Sequence, residues 1–576
     1  MQSIRIESIL GKAAAFVLLA SLAACGGGGG SDSAGTVTQG SGATGSSGPP
    51  STFTPTEDGK LHAACTNCGA VDDQTYVGSG VGLWQALNTS AHNDVVNVAL
   101  KNTTGRNVTL VFTNEGTNQA MHPVTVSESV VGAANMSMMG ASDLTTSGSS
   151  EPAQLKAIHQ FNQNGWTSLT TRQADAAVGV AAQRNVVGAP SQNVVGVVGT
   201  TTRSFWLADG TNRATTLEAT QQTSDGTTVN IWVQTSEYTA QKVTPAIVQQ
   251  LMQKYAGAGG VYDVDTSIGG PFWGPNSNTG MIAPTGQPID LVVANITPDG
   301  KPYGEVGYYY ALNNFVAQAS GQTYTSNQDL SLYLDSETLY LGGTAGMQAM
   351  QTTMAHESTH MQNFYRRGML MGSQYMYETW LEETTAMMME DWASFNLDPT
   401  YNSVRDTRFP AFMTYAGQGS YGCGLTTWDP MDTTCDSYST NGAFGGFLNR
   451  QLGLGFYKAL LNDKSSTDSM AILNDAISQF RSGSTVAQEL RHFSAAAEGQ
   501  IPLGANMTQY GFPAHSEGGF TLPAIDPSAV TRDLLSASPG VLLGLASFPA
   551  TRSHVPSTYQ ETVTVPPGVT LSVVVR

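Results

Sequence analysis

The sequence predicts an α+β protein: a helix-rich region at residues 239–504 lies between a mostly-β, sandwich-like domain at 61–238 and a short β-rich module at 505–576. Three observations lead there. From about 75 to 236, short runs rich in β-branched and aromatic residues are separated by turn residues, at 95–100, 107–113, 186–198, 204–207 and 229–233, the last paired across Ser224-Asp225-Gly226. At Thr244-Pro245 the texture changes, because Thr can cap a helix whose first position tolerates Pro, and Ile247, Val248, Leu251 and Met252 then recur at helical spacing. From about 505, Pro, Gly and β runs return, ending in Thr562-Val563-Thr564-Val565 and the apolar run 569–575.

Ahead of these regions, Arg5 and Lys12 precede an apolar run at 13–22 that is too short to cross a bilayer as a helix, so residues 1–24 read as a secretory signal. The signal ends in Leu22-Ala23-Ala24-Cys25, which resembles the bacterial lipobox. That resemblance implies that Cys25 is diacylated and becomes the mature N-terminus; the alternative is an ordinary cleaved signal with a stray Cys. Gly26 follows, with no Asp to suggest retention on an inner membrane, so the expected location is that of an outer-membrane lipoprotein, exposed to the periplasm or the cell surface. Residues 25–60 carry Gly, Ser, Thr and Pro with almost nothing apolar to bury, the composition of a flexible tether.

The 576 residues carry a formal net charge of -19 on a charged fraction of only 12%. Such a surface repels phosphate and argues against a nucleic-acid partner. With Cys25 set aside, Cys65, Cys68, Cys423 and Cys435 remain, an even number in an exported chain, and they read most simply as the two sequence-local disulfides Cys65 with Cys68 and Cys423 with Cys435. A redox pair or half of a zinc knuckle is the alternative at Cys65 and Cys68, but no second Cys-x-x-Cys is present to complete a four-Cys site.

Inside 239–504, residues 289–296 form a buried-strand run stopped by Pro298-Asp299-Gly300. Leu330, Leu332 and Leu334 alternate with Ser331, Tyr333 and Asp335, which predicts a half-exposed strand. After Gly342-Gly343 a helix is expected with Met347, Met350, Met354, Met361 and Phe364 on its apolar side, ending at Gly368 after Arg366 and Arg367. It carries His356-Glu357-Ser358-Thr359-His360. Residues at i and i+4 share a helix face, so both imidazoles can reach one cation, while Glu357 flanks the site near a metal-bound water. Further helices are expected at 375–394, 442–461, 470–480 and 485–497. Mixed strands followed by a helix bearing two His is the order of a zincin-like catalytic domain, and the pattern is that of a zinc hydrolase.

Two His leave a catalytic zinc one protein ligand short. No His follows His360 until His492, so a carboxylate is favoured, and Glu378, Glu382, Glu383 and Glu390 compete for the place. The segment Trp380-Leu381-Glu382-Glu383 resembles the Trp-Leu-x-Glu in which gluzincins present their third ligand, and that resemblance selects Glu383. Glu390, on the same helix face, or the adjacent Asp391 would then bond a ligand His and fix its tautomer.

Taken together, Gly307-Tyr308-Tyr309, Ser326-Asn327, Tyr333-Leu334-Asp335, Ala355 to His360, and Trp380 to Glu383 leading to Glu390-Asp391 resemble the hyicolysin family of bacterial secreted neutral metalloproteases over roughly 240–465. One departure is visible: family members commonly have Asn then Glu-Gly after the Trp-Leu pair, where this chain has Glu382, Glu383 and Thr384. The resemblance implies a zinc metalloendopeptidase acting on extracytoplasmic proteins or peptides. Zinc would bring its water's pKa to about 7, and Glu357 would act as general base and then pass the proton to the leaving amine. Related gluzincins supply an oxyanion donor from a later helix; Tyr438, shortly before Gly442-Ala443-Phe444, resembles that placement, with His492 as runner-up.

His62, His92, His122, His159, His515 and His554 have no partner at metal spacing and read as ordinary surface or core residues. Met387-Met388-Met389 reads as core packing under the site. Asp429, Asp432 and Asp436 offer oxygen ligands for a possible calcium ion, without the Gly and Glu of a recognised loop. The alternative function is a surface adhesin with a vestigial peptidase domain. A decayed site usually loses its Glu or a His, and here none is lost.

Overall fold

Strand Val569–Val575 lies between Gly82–Leu87 and Val108–Asn114, pairing antiparallel with both, in a five-stranded sheet completed by His62–Ala63 and Ser547–Arg552. A second pair joins Asp94–Lys101 to Thr558–Val565 over its full length. This is a computed structural model, and it describes residues 58–126, 151–170, 196–316, 325–430, 432–505 and 507–576. The signal segment, Cys25, nearly all of the tether and most of the expected strand at 186–198 lie outside the described residues.

The two β-rich regions, expected as separate domains at 61–238 and 505–576, are therefore not separate: their strands are interleaved in common sheets. The physical reason is burial on both faces. Val108–Asn114 and Val569–Val575 are buried at every residue, so each needs a neighbour on either side as well as cover above and below. The boundary at 238 shifts as well. Thr202–Trp206, Asn212–Gln222 and Thr228–Gln234 belong to a six-stranded mixed sheet with Ile289–Ala294, Leu330–Asp335 and Gly307–Tyr309, in which Ile289–Ala294 runs parallel to both of its neighbours.

Leu330–Asp335, expected to be half exposed, is buried throughout. Its polar face is satisfied internally: the Tyr333 hydroxyl accepts from Asn327 at 2.6 Å and Asn313 at 3.1 Å, and the Tyr333 ring stacks on Tyr308 at 4.7 Å. Alternation here marks two buried faces of different polarity.

At the end of that strand Asp335 caps a short helix by accepting from Thr338 N, and the motif helix Gly343–Asn363 follows, continuing as a π-helical turn over Phe364–Met371. Thr244 caps Pro245–Ala256 as its Thr-Pro signature requires. Thr379–Leu397 packs against both the motif helix and Ser437–Asn462, and its Met387, Met388 and Met389 are wholly buried. Among the described residues no helix is long and apolar enough to cross a membrane. Disulfides join Cys65 to Cys68 and Cys423 to Cys435. The architecture is α+β.

Helix Val486–Glu498 seals the terminal sheet through a buried carboxyl. Ser547 Oγ donates to Glu498 Oε1 at 2.5 Å, and burial pushes the Glu498 pKa up to about 8, against the hydrogen bond and the charge of Arg532. The fold holds this proton where an unfolded chain releases it, so the stabilisation is complete below the ordinary carboxyl pKa of 4.5 and drains away as pH rises to 8. Glu498→Gln should remove about 4 kcal/mol of the stability change between pH 4.5 and 8. Urea denaturation of both chains at pH 5 and pH 8 measures it; parallel pH trends would contradict the assignment.

Candidate metal centre and cleft

The motif helix presents His356, Glu357 and His360 at its middle, where all three are buried. Opposite them the helix Thr379–Leu397 contributes Glu383, also buried. Its carboxylate sits between the two rings, with Oε2 3.1 Å from His356 Nε2 and Oε1 3.4 Å from His360 Nε2. Donors at the corners of a tetrahedron with metal bonds of about 2.0 Å are separated by about 3.3 Å, so these spacings fit one zinc. Among the described residues, His356, His360 and Glu383 are the one group of His, Cys, Asp and Glu whose ligand atoms converge this way, all within 4.8 Å of one another.

The far sides of both rings are fixed. His356 Nδ1 lies 2.7 Å from Glu390 Oε1, and Glu390 is in turn held by Arg408 Nη2 at 2.9 Å. His360 Nδ1 lies 2.9 Å from Glu382 Oε1, which also accepts from Asn363. Carboxylates on both Nδ1 atoms leave each Nε2 lone pair for a cation, and three N/O donors leave a fourth position for water. The donor set and its orientation therefore fit the metal. Of the four competing acids, Glu383 reaches both rings, Glu382 and Glu390 lie behind one ring each, and Glu378 accepts from Trp380 Nε1 instead.

Asp391 does not bond a ligand His. It points to the opposite face, where the Arg450 guanidinium donates to it at 2.7 Å and 3.2 Å and Asn402 and Asn449 complete its shell. It is the next residue after Glu390, and 100° of helical rotation turns it away.

Glu357 faces the edge strand Gly307–Tyr309, and Tyr309 N donates to its Oε2 at 2.7 Å. Burial raises its carboxyl pKa, against the charges of His356 and His360. Tyr438, in the first turn of Ser437–Asn462, lines the same cleft, its ring 6.5 Å from His356, edge-on to Trp428 at 4.9 Å and beneath the Arg408 guanidinium at 5.3 Å. Burial lifts the Tyr438 hydroxyl well above its ordinary value, so it stays a proton donor.

His492, the runner-up donor, is not in the cleft. It is buried in Val486–Glu498 against Tyr510, with Nδ1 3.5 Å from Glu489. The aspartates expected to offer a calcium site make no such cluster among the described residues: Asp436 caps Ser437–Asn462 through Tyr438 N and Ser439 N, and Asp432 accepts from Thr434.

One residue passed over as ordinary does belong here. His159, on helix Ala153–Gln163, places Nε2 3.1 Å from Glu383 Oε1 and Nδ1 2.6 Å from Glu151 Oε1. Burial alone would lower its pKa; the charges of Glu383 and Glu151 raise it to about 10. It lies nearly 200 positions before the motif and carries no spacing signal.

A family model described as peptidase M30 matches residues 209–576 and so contains the motif helix, Glu383 and Tyr438. This chain belongs to the peptidase M30 family. A second model, a domain of unknown function designated DUF8571, matches residues 63–126, and helix Ala153–Gln163 falls outside both matches. No curated protein matches the chain. Among solved structures, a point mutant of the M1 zinc metallopeptidase from Deinococcus radiodurans covers 72% of this chain and 69% of its own at 9% identity, with a TM-score of 0.23, too low a likeness to argue from. The M30 assignment makes this protein a metallopeptidase, and the His-His-Glu cluster points to zinc.

Proposed function

We propose that this M30 protein is a zinc-dependent endopeptidase that cleaves extracytoplasmic proteins or peptides, with His356, His360 and Glu383 as ligands and Glu357 as general base. The observation that carries it is the convergence of His356 Nε2, His360 Nε2 and the Glu383 carboxylate at spacings that suit one metal ion, beside the buried Glu357. When bound, zinc supplies Lewis acidity to the scissile carbonyl and an acidified water.

The chain's own groups do the rest. The edge strand pairs on one side with Leu330–Asp335, and on the other, toward the cleft, it turns the Tyr309 C=O and, just beyond its end, the Ala311 N–H. A peptide laid along that edge is held by main-chain bonds irrespective of its side chains, which suits an endopeptidase. Tyr309 N–H engages Glu357 Oε2 and leaves Oε1 to take a proton from the attacking water and return it to the departing amine. The Tyr438 hydroxyl donates to the developing oxyanion. Two disulfides and the lipobox-like Leu22-Ala23-Ala24-Cys25 support export and lipid anchoring.

The test is chelation followed by zinc repletion of the mature chain with casein as substrate. Loss of cleavage on chelation and recovery with one zinc per chain is expected; unchanged cleavage in the metal-free protein would overturn the proposal. Glu390→Ala should weaken zinc binding about 10–100-fold by freeing the His356 ring. Competition against a fluorescent chelator measures this.

A further inference from the structure

We infer that helix Ala153–Gln163 is an internal inhibitor that occupies the peptide groove of the M30 domain. The inference rests on the peptidase reading above and adds a mode of regulation to it. Leu155, Ile158, His159 and Asn162 recur at i, i+3, i+4 and i+7, so they form one helix face, and all four line the cleft that also holds His356, Glu357 and His360.

The contacts of that face are those a substrate would need. Asn162 Nδ2 donates to Tyr309 O at 3.0 Å, and Asn162 Oδ1 accepts from Ala311 N at 2.8 Å. One side-chain amide thus supplies the donor and the acceptor that a peptide unit would present to this edge. One helical turn earlier, His159 Nε2 reaches Glu383 Oε1 at 3.1 Å. Gln154 Nε2 donates to Glu305 Oε1 at 3.2 Å, two residues ahead of the edge strand. Ile158 is 3% exposed, so the helix is seated in the groove. The helix also comes from outside the residues that match the M30 family, so the peptidase domain is defined without it.

A groove filled by its own chain binds an added peptide with an affinity reduced by the fraction of molecules in which the helix has left. Two variants of the full chain loosen the helix in different ways. His159→Ala with Asn162→Ala removes the polar contacts; Asn162→Asp keeps the size but sets a carboxylate against the Tyr309 carbonyl. Binding of fluorescein-labelled casein, read by anisotropy in a Glu357→Gln background, should tighten by about tenfold or more in both, and casein cleavage in the Glu357 background should rise by a similar factor. A synthetic peptide of residues 151–170 added in trans should reverse both changes.

Unchanged casein affinity in both variants would overturn the inference. So would a fall in cleavage with affinity unchanged, which would make His159 a working part of the site. If the Glu357→Gln chain still cleaves casein at the unsubstituted rate, the peptidase mechanism fails, while the anisotropy comparison still reports whether the helix covers the groove.

Discussion

Glu357→Gln is expected to lower kcat for casein cleavage by about 10²–10⁴-fold, the range that a positioned general base contributes, with zinc content unchanged. Glutamine keeps the length of the side chain and retains an oxygen to accept from Tyr309 N, so the edge strand stays where it is. The amide cannot hold the proton that must move from water to amine. Neither imidazole depends on Glu357 for orientation, because Glu390 and Glu382 fix the two rings from behind. Steady-state hydrolysis combined with metal analysis checks both halves. A variant retaining more than a tenth of wild-type kcat would move the base to another residue.

The second large effect is on stability. Asp391 and Arg450 have no exposed side-chain surface, and their ion pair at 2.7 Å locks Thr379–Leu397 to Ser437–Asn462 behind the site. Removing one partner strands a charge in the core, so Asp391→Ala should cost about 3–5 kcal/mol. Arg450 could not relax to water without opening the interface. Pairing Asp391→Ala with Arg450→Met should recover much of that loss, because neither charge then remains to be desolvated. Urea denaturation of the single and double variants at one pH provides the comparison. Equal stability of Asp391→Ala and wild type would show that the pair contributes nothing net. Zinc affinity of the folded Asp391→Ala chain should be unaffected, in contrast with Glu390→Ala.

Much of the centre was legible because its signals are local. Two His at i and i+4 must share a face, and the resemblance of Trp380 to Glu383 to the gluzincin Trp-Leu-x-Glu segment singles out one carboxylate among four. The caps at Thr244 and the stop at Pro298-Asp299-Gly300 are likewise written within a few residues. What escaped the sequence depends on partners distant along the chain. The run 569–575 declares itself a strand, but nothing in its residues names Gly82–Leu87 and Val108–Asn114 as neighbours. Ser331 and Tyr333 look solvent-facing until Asn313 and Asn327 arrive to satisfy them. His159 has no spacing relation to the metal motif at all; only the fold carries it to Glu383. Asp391 and Glu390 were indistinguishable as neighbours in sequence, and one step of helical rotation separates their roles.

The interleaved terminal sheet sets an order of assembly. Gln85 Nε2 donates to Ser572 Oγ across 487 residues of chain. At about 5–20 residues per second, the amino-proximal strands are made roughly 25–100 s before the strand that joins them exists. During synthesis Gly82–Leu87 and Val108–Asn114 are kept waiting with an open slot between them, while the six-stranded sheet and the motif helix already have all their residues. The last strand is a keystone, and a ribosome stalled before residue 569 would leave the M30 region tethered to two unclosed edges.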